Sequence, residues 1–518
     1  MLGLGFVAAV AAAALAFVGP TQAAVGGPTC NVGTDYATIQ AAVSDPGCTT
    51  VNVPAGTYNE QVQITHSLTL KGAQAGVDAR TRSGAESVIT NSCGPVQIMA
   101  DNVVIDGFTI EGSTDGDPCF LSGIWSNPGF LGTNGGYTIV NNIVQNNISG
   151  IELDSTCAAS PTLVQHNLIR NNSNPGAGAG NGIETNFGLC NATINANTFS
   201  GDTSSSVLVD TPSSNVNVTN NQLVAGAAEG IAFLGVSNST ISGNVSLGTA
   251  SSGTIDLFGS DSNVAVTGNV LANGMRGIQV ENPYSIYGAV PNTGITAHTN
   301  CISGNAAAGL EEDSGGHSGT LNATSNWWGK SSGPTIASNP SGSGDVIIDS
   351  DGVVAYSPFT TSQPAAPCPT MTPRDLKQGV LATLQGIGHT GNKDTDKKIA
   401  DAISHLQNSL NPSLWVDGSH LDPKKGDKVF DEEKAAVDSL TDIKKPSPSL
   451  AATIASSVQT LTSADRSLAT TAISESSDPK KIAAANKELA AGDKEASKGH
   501  FEQAIDHYKN AWKQVQKP

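Results

Sequence analysis

An asparagine returns along this chain at a spacing that repetition, not a single hydrophobic core, would set. It falls at Asn142, Asn167, Asn197, Asn221, Asn244, Asn269, Asn300 and Asn326, at intervals of 25, 30, 24, 23, 25, 31 and 26 residues. A Gly-Ile-like pair follows each of the first seven, its apolar member at Ile151, Ile183, Val207, Ile231, Ile255, Ile278 and Leu310. The long intervals hold Gly/Pro-rich insertions such as residues 174–180. A repeat of this length is one unit that buries its apolar face only by stacking on its neighbours. Within each unit the apolar residues alternate in runs too short for helices, as in Ile151-Glu152-Leu153 and Ile255-Asp256-Leu257. Asn, Gly and Ser separate the runs, which gives strand, turn, strand, turn.

Stacked in parallel about 4.8 Å apart, such strands set each repeated Asn over the next, donor to acceptor. The expected fold is an all-β right-handed parallel β-helix over residues 24–360, followed by a small all-α domain. The coils resemble those of the pectin-lyase-like superfamily over residues 35–360. The stretch from Tyr36 to Val43, read as a short helix, and Gly56-Thr57-Tyr58-Asn59-Glu60 resemble that superfamily's capping helix and first coil. Asn326-Trp327-Trp328-Gly329 looks like the terminal signature of bacterial β-helix surface proteins. The paired Trp read as a lid on the stack, with sugar stacking as the alternative. The resemblance implies a fold and a taste for polysaccharide. It does not supply an activity, because the lyase, polygalacturonase and pectin methylesterase motifs are missing.

Outside the repeats, residues 1–23 read as a signal peptide, with an apolar run from Leu4 to Val18 and a small-residue cleavage site ending at Ala23. No second apolar run suggests an integral membrane segment after cleavage, so the expectation is a secreted or cell-surface protein. Residues 361–373 form a Pro-rich linker. Residues 374–518 carry helical periodicity and end in a helical hairpin broken at Gly499, a module suited to a protein partner.

Charge narrows the partners. Residues 1–369 hold six Lys plus Arg against 25 Asp plus Glu, whereas residues 370–518 hold 20 of each. The whole net charge of −19 therefore belongs to the repeats. Nucleic acid is excluded as a partner, since phosphate binding needs clustered cations. Acidic polymers fit only through bridging Ca²⁺, and neutral or cationic glycans fit better. All eight cysteines lie between Cys30 and Cys368, an even count that suggests disulfides in an exported chain. Stacking favours Cys157 with Cys190, and Cys30 with Cys48 would clasp the first helix.

With the beat residues pointing inward, the residues between them face outward. One outward column reads Glu152, Glu184, Leu208, Ala232, Asp256, Gln279 and Glu311; the next reads Asp154, Asn186, Asp210, Leu234, Phe258, Glu281 and Asp313. Glu152, Asp154, Glu184 and Asp210 are the candidate catalytic acids, since neighbouring coils and i,i+2 spacing give separations of about 5 to 7 Å, those of glycosidase carboxyl pairs. Phe258, Asp256 and Glu281 are candidate carbohydrate contacts. The same oxygens suit Ca²⁺, and a solvated acidic face is the plain alternative. The expected function is binding, with cleavage by a hydrolase or lyase mechanism, of an extracellular polysaccharide; the alternative is a non-catalytic adhesion or scaffold protein.

Overall fold

The structure, a computed structural model, describes residues 28–116, 119, 121–126, 134–157, 160–210, 212–224, 227–246, 252–283, 288–364, 372–387 and 390–516. The signal-peptide segment lies outside these residues. Up to residue 355 the described chain forms three long parallel sheets of 15, 12 and 10 strands. It visits them in turn, so that each strand pairs with its counterpart one repeat away. The beat residues stack in one row, Ile151 on Ile183, Val207, Ile231, Ile255, Ile278 and Leu310, and all are buried in a single continuous core.

The asparagine ladder forms as the spacing predicts. The Asn142 backbone N–H donates to Asn167 Oδ1 at 2.8 Å, and the Asn142 amide donates to the same oxygen at 3.2 Å and to the Ile105 carbonyl at 2.9 Å. This set of bonds recurs at each member until Asn300 donates to Asn326. The residue before every ladder Asn lies at positive φ, including His166 (57°), Ala196 (53°) and Thr299 (55°). These side chains have no preference for that region, which costs roughly 1–2 kcal/mol for an L-residue. The ladder bonds on the next residue hold them there. A second ladder runs through Asn147, Asn172 and Asp202, five residues after members of the first, with backbone N–H bonds of 3.2 and 2.9 Å. Asn147 and Asn244 are fully or almost fully buried in these ladders, which accounts for their Asn-x-Ser/Thr triplets without glycans.

Both ends of the stack are closed. Helix α1 (Ile39–Val43) is shorter than the periodicity suggests; Thr38 caps it, and the Glu60 carboxylate accepts from the Ile39 and Gln40 N–H groups. At the other end Trp328 is buried in the main core and Trp327 against Val270, Ala272 and Cys301. Neither ring is free to stack on a sugar, so the pair is a lid. Among the described residues three cysteine pairs form disulfides, Cys30–Cys48, Cys93–Cys119 and Cys157–Cys190. The first and third are the expected pairs.

The remainder is helical: α2 (Pro373–Gly386), α3 (Lys393–Ser409), α4 (Asp427–Thr441), α5 (Pro448–Glu475), α6 (Pro479–Ala496) and α7 (Phe501–Gln516), packed around their own core. Among the described residues no helix is long and apolar enough to cross a membrane. At the centre of this core Lys377 of α2 donates to Asp465 of α5 at 2.6 Å and to Glu433 of α4, all three fully buried. Ser409 of α3 donates to the other Glu433 oxygen at 2.8 Å. Burial opposes the Lys377 charge, but Asp465 and Glu433 outweigh it and hold the ammonium above its ordinary pKa. Burial pushes Glu433 up to about 8 even against the pull of Lys377.

These buried networks lead to three predictions. Asn221→Ala leaves the Asn197 backbone N–H, the Asn197 amide and the Ile194 carbonyl without their partners. It is expected to lower stability by about 3 kcal/mol or more, read as a fall in the urea midpoint. Lys377→Met strands two buried acids and is expected to cost about 3–5 kcal/mol. An unfolded Glu ionises at about 4.3, whereas burial holds Glu433 up to about 8 in the fold, so stability falls as pH rises between those values. Glu433→Gln should flatten that fall in thermal unfolding of the full chain at pH 5 and pH 8.

Candidate functional site

The twelve-stranded sheet sets the acids in the expected column. Register pairs Gln97 with Trp125, Trp125 with Glu152, Glu152 with Glu184, and onward through Leu208, Ala232, Asp256, Gln279 and Glu311. Trp125 was not anticipated, although a signal for it exists: Gly123-Ile124 continues the Gly-Ile beat one repeat earlier. That repeat has no ladder Asn of its own, so the count from asparagines began too late to include it.

Burial differs from the expectation. A sheet face open to water would leave these acids exposed, but Glu152 is 3 % exposed, Glu184 6 %, and Asp154 and Asp256 0 %. Chain between the strands covers Glu184. In the insertion at residues 174–180, a Cβ on Gly178 would lie 2.9 Å from Glu184 Oε1, so backbone rests directly on that carboxyl. Gly178 has φ +68°, a conformation that suits glycine at such a close approach. The solvated-face reading does not hold for these four residues. Trp125, Leu208, Asp210, Phe258 and Glu281 remain half-buried, and Asn186 is exposed.

The four candidate catalytic acids are brought together. Glu152 feels repulsion from Glu184 and Asp154, Glu184 feels it from Asp154, and Asp154 from Asp210. Burial, the largest cause, pushes Glu152 up to about 9, with Asn186 and Trp125 opposing it by hydrogen bonding. Burial lifts Glu184 to about 7, restrained by Ser149 and by the Asn181 amide, which donates to Oε2 at 2.7 Å. Asp154 rises only to about 6, because its Oδ1 accepts from the Asn186 and Phe187 N–H groups at 3.0 and 2.9 Å. One array thus holds a carboxyl that keeps its proton at neutral pH and a neighbour that gives it up. Environments that divide acids in this way suit general acid–base chemistry.

Farther along the sheet Asp256 forms a second group with Glu281 and Glu229, both of which repel its charge. Phe258 lies two residues along the same strand direction. The candidate carbohydrate contacts Phe258, Asp256 and Glu281 therefore share one region, separate from the first four acids. For Ca²⁺, among the described residues no three His, Cys, Asp or Glu converge to hold a metal ion. Comparison with family models, curated proteins and solved structures finds no match.

The raised carboxyls make stability depend on pH. Unfolded carboxylates ionise near about 4, whereas Glu152 in the fold waits until about 9, so between those values rising pH favours unfolding. Glu152→Gln removes that contribution. Its stability relative to the native chain should improve steadily from pH 5 to pH 9, a trend that cancels any fixed packing cost of the substitution. Denaturant unfolding at four pH values checks this.

Proposed function

We propose that the three sheets close into a right-handed parallel β-helix of the pectin-lyase-like kind, exported from the cell. In this reading the protein binds an extracellular polysaccharide and hydrolyses it at the first acid cluster. The observation that supports it is the stacked pair of buried carboxyls, Glu152 and Glu184, beside Asp154, with affinities for protons spread from about 6 to about 9. Glu152 serves as the general acid that protonates the leaving glycosidic oxygen. Asp154, ionised and two residues along the strand at about 6.5–7 Å, serves as the base that activates water, a spacing that favours inversion. Glu184 keeps the proton on Glu152 through its charge, Asp210 lifts Asp154 toward the proton affinity a base needs, and Trp125 offers an aromatic edge to the substrate.

The burial of these acids favours a second reading. A polymer reaches them only when the roof over Glu184 moves aside, and an inert scaffold would need no such motion. In that case the stack is a stiff envelope or matrix element and the helical region binds a protein. Disulfides in the stack fit either reading, since both place the protein in an oxidising compartment.

Release of reducing ends and of unsaturated products from a panel of neutral and acidic polysaccharides, with and without Ca²⁺, separates the two. Hydrolysis predicts reducing ends without unsaturated products, and a loss of about a hundredfold or more in Glu152→Gln and Asp154→Asn. No release from any substrate, with binding unchanged in both variants, would establish the scaffold.

A further inference from the structure

The second acid cluster has no task in the proposed hydrolysis. Asp256 stands four strands from Glu152 in the same column, which at about 4.8 Å per strand is roughly 19 Å along the sheet. Its Oδ2 accepts from Ser252 Oγ at 2.8 Å and from the Gly253 N–H at 3.3 Å, while Oδ1 has no hydrogen-bond partner among the described residues. The neighbour in register is Gln279, 7 % exposed, and among the described residues its Oε1 has no partner either. Once Asp256 is ionised both atoms are acceptors, so a ligand that takes up this place must bring a donor.

The charge around it says which donor. Glu281 and Glu229 raise the energy of an Asp256 carboxylate. The one Lys or Arg between residues 171 and 329 is Arg276, whose guanidinium is paired with Glu311 and feels Asp256 only as a weaker, longer-range charge. A sugar hydroxyl would satisfy the acceptors and leave the repulsion in place, whereas a cationic donor answers both. Phe258, half-buried beside this group, adds an aromatic face, which attracts cations as well. A uronate would meet only like charge.

We propose that Asp256 and Gln279, with Glu229, Glu281 and Phe258 around them, form a subsite for the ammonium group of an amine-bearing polysaccharide, such as a polymer of unacetylated hexosamine. This rests on the glycan reading above and names its substrate class. The strand repeat is close to the length of one sugar, so the subsite lies on the order of four units from Glu152. Burial and Glu281 push the Asp256 carboxyl well above the ordinary carboxylate range, so docking of a cation drives it to ionise. Binding near neutral pH therefore releases a proton.

Titration calorimetry on the full chain carrying Glu152→Gln, which blocks turnover, tests this with three probes: a glucosamine hexamer, an N-acetylglucosamine hexamer and an oligogalacturonate. The expected result is that the glucosamine hexamer binds about tenfold or more tighter than the acetylated one. That advantage should shrink at high salt, and the measured heat should vary with the buffer's ionisation enthalpy as a proton leaves. Adding Asp256→Asn should abolish the preference; Glu281→Gln, at a half-buried position, should weaken it in case the first substitution disturbs folding. Equal affinity for the two hexamers would overturn the ammonium subsite and leave the glycan reading standing. A preference that survives both substitutions would overturn its placement at Asp256. No binding of any probe would overturn the subsite and the polysaccharide reading together.

Discussion

The hydrogen bonds of the Asn142 to Asn326 ladder are the constraint on which the stack depends. Each amide donates to the oxygen of the next rung and to a backbone carbonyl of the preceding coil, and its own oxygen accepts the backbone N–H of the preceding rung. The turn between two sheets is thereby satisfied without water in a place where water cannot reach. An unpaired backbone group there would cost roughly 1–3 kcal/mol, and the cost would recur at every rung. The ladder also forces the residue before it into the left-handed region, which turns the chain from one sheet into the next. Register follows from this: with every turn fixed, the inward row of Ile and Val and the outward row of acids fall into line without further instruction.

That same register creates a conflict on the twelve-stranded sheet. Strands about 4.8 Å apart place Glu152 directly beside Glu184, and the roof over them removes the water that would screen two charges. The conflict is resolved by protons. Glu152 keeps its own, Asp154 is held ionised by the backbone N–H groups of Asn186 and Phe187, and Glu184 lies between. Stability is surrendered to keep acids in a buried row, and a stack built only for stiffness could have placed Leu or Val there, as it does at Leu208. This contrast is the physical case for chemistry at the first cluster and for a ligand at Asp256.

A comparable arrangement sits in the helical region with a different outcome. Lys377 joins α2 to α4 and α5 through Glu433 and Asp465, and here a cation is built into the fold. The cluster ties three helices that contain no disulfide, since every cysteine precedes residue 369. The column around Asp256 has no such internal cation free, because Arg276 is engaged by Glu311. Matching charge within the fold makes a structural element, and leaving it unmatched leaves room for a partner.

Much of this architecture was legible in the sequence. Local spacing alone determined the repeat, the ladder from Asn142 to Asn326, the inward row, the order of the acid column, the Cys157–Cys190 disulfide and the helical character of the C-terminal region, because each rests on periodicity or on residues one repeat apart. Trp125 and the second ladder through Asn147, Asn172 and Asp202 were also written there, but too few repeats carry them to stand out. Other features belong to the tertiary structure. Ala196 and Thr299 take up left-handed turns against their own preference because the ladder overrides it. The Lys377 cluster draws together residues 56 and 88 positions apart that no period connects. Above all, the sequence showed which acids share a face, while only the folded chain decided that the face is covered. Burial depends on where insertions such as residues 174–180 come to rest, and that is set by packing across the stack, not by any pattern within the strand.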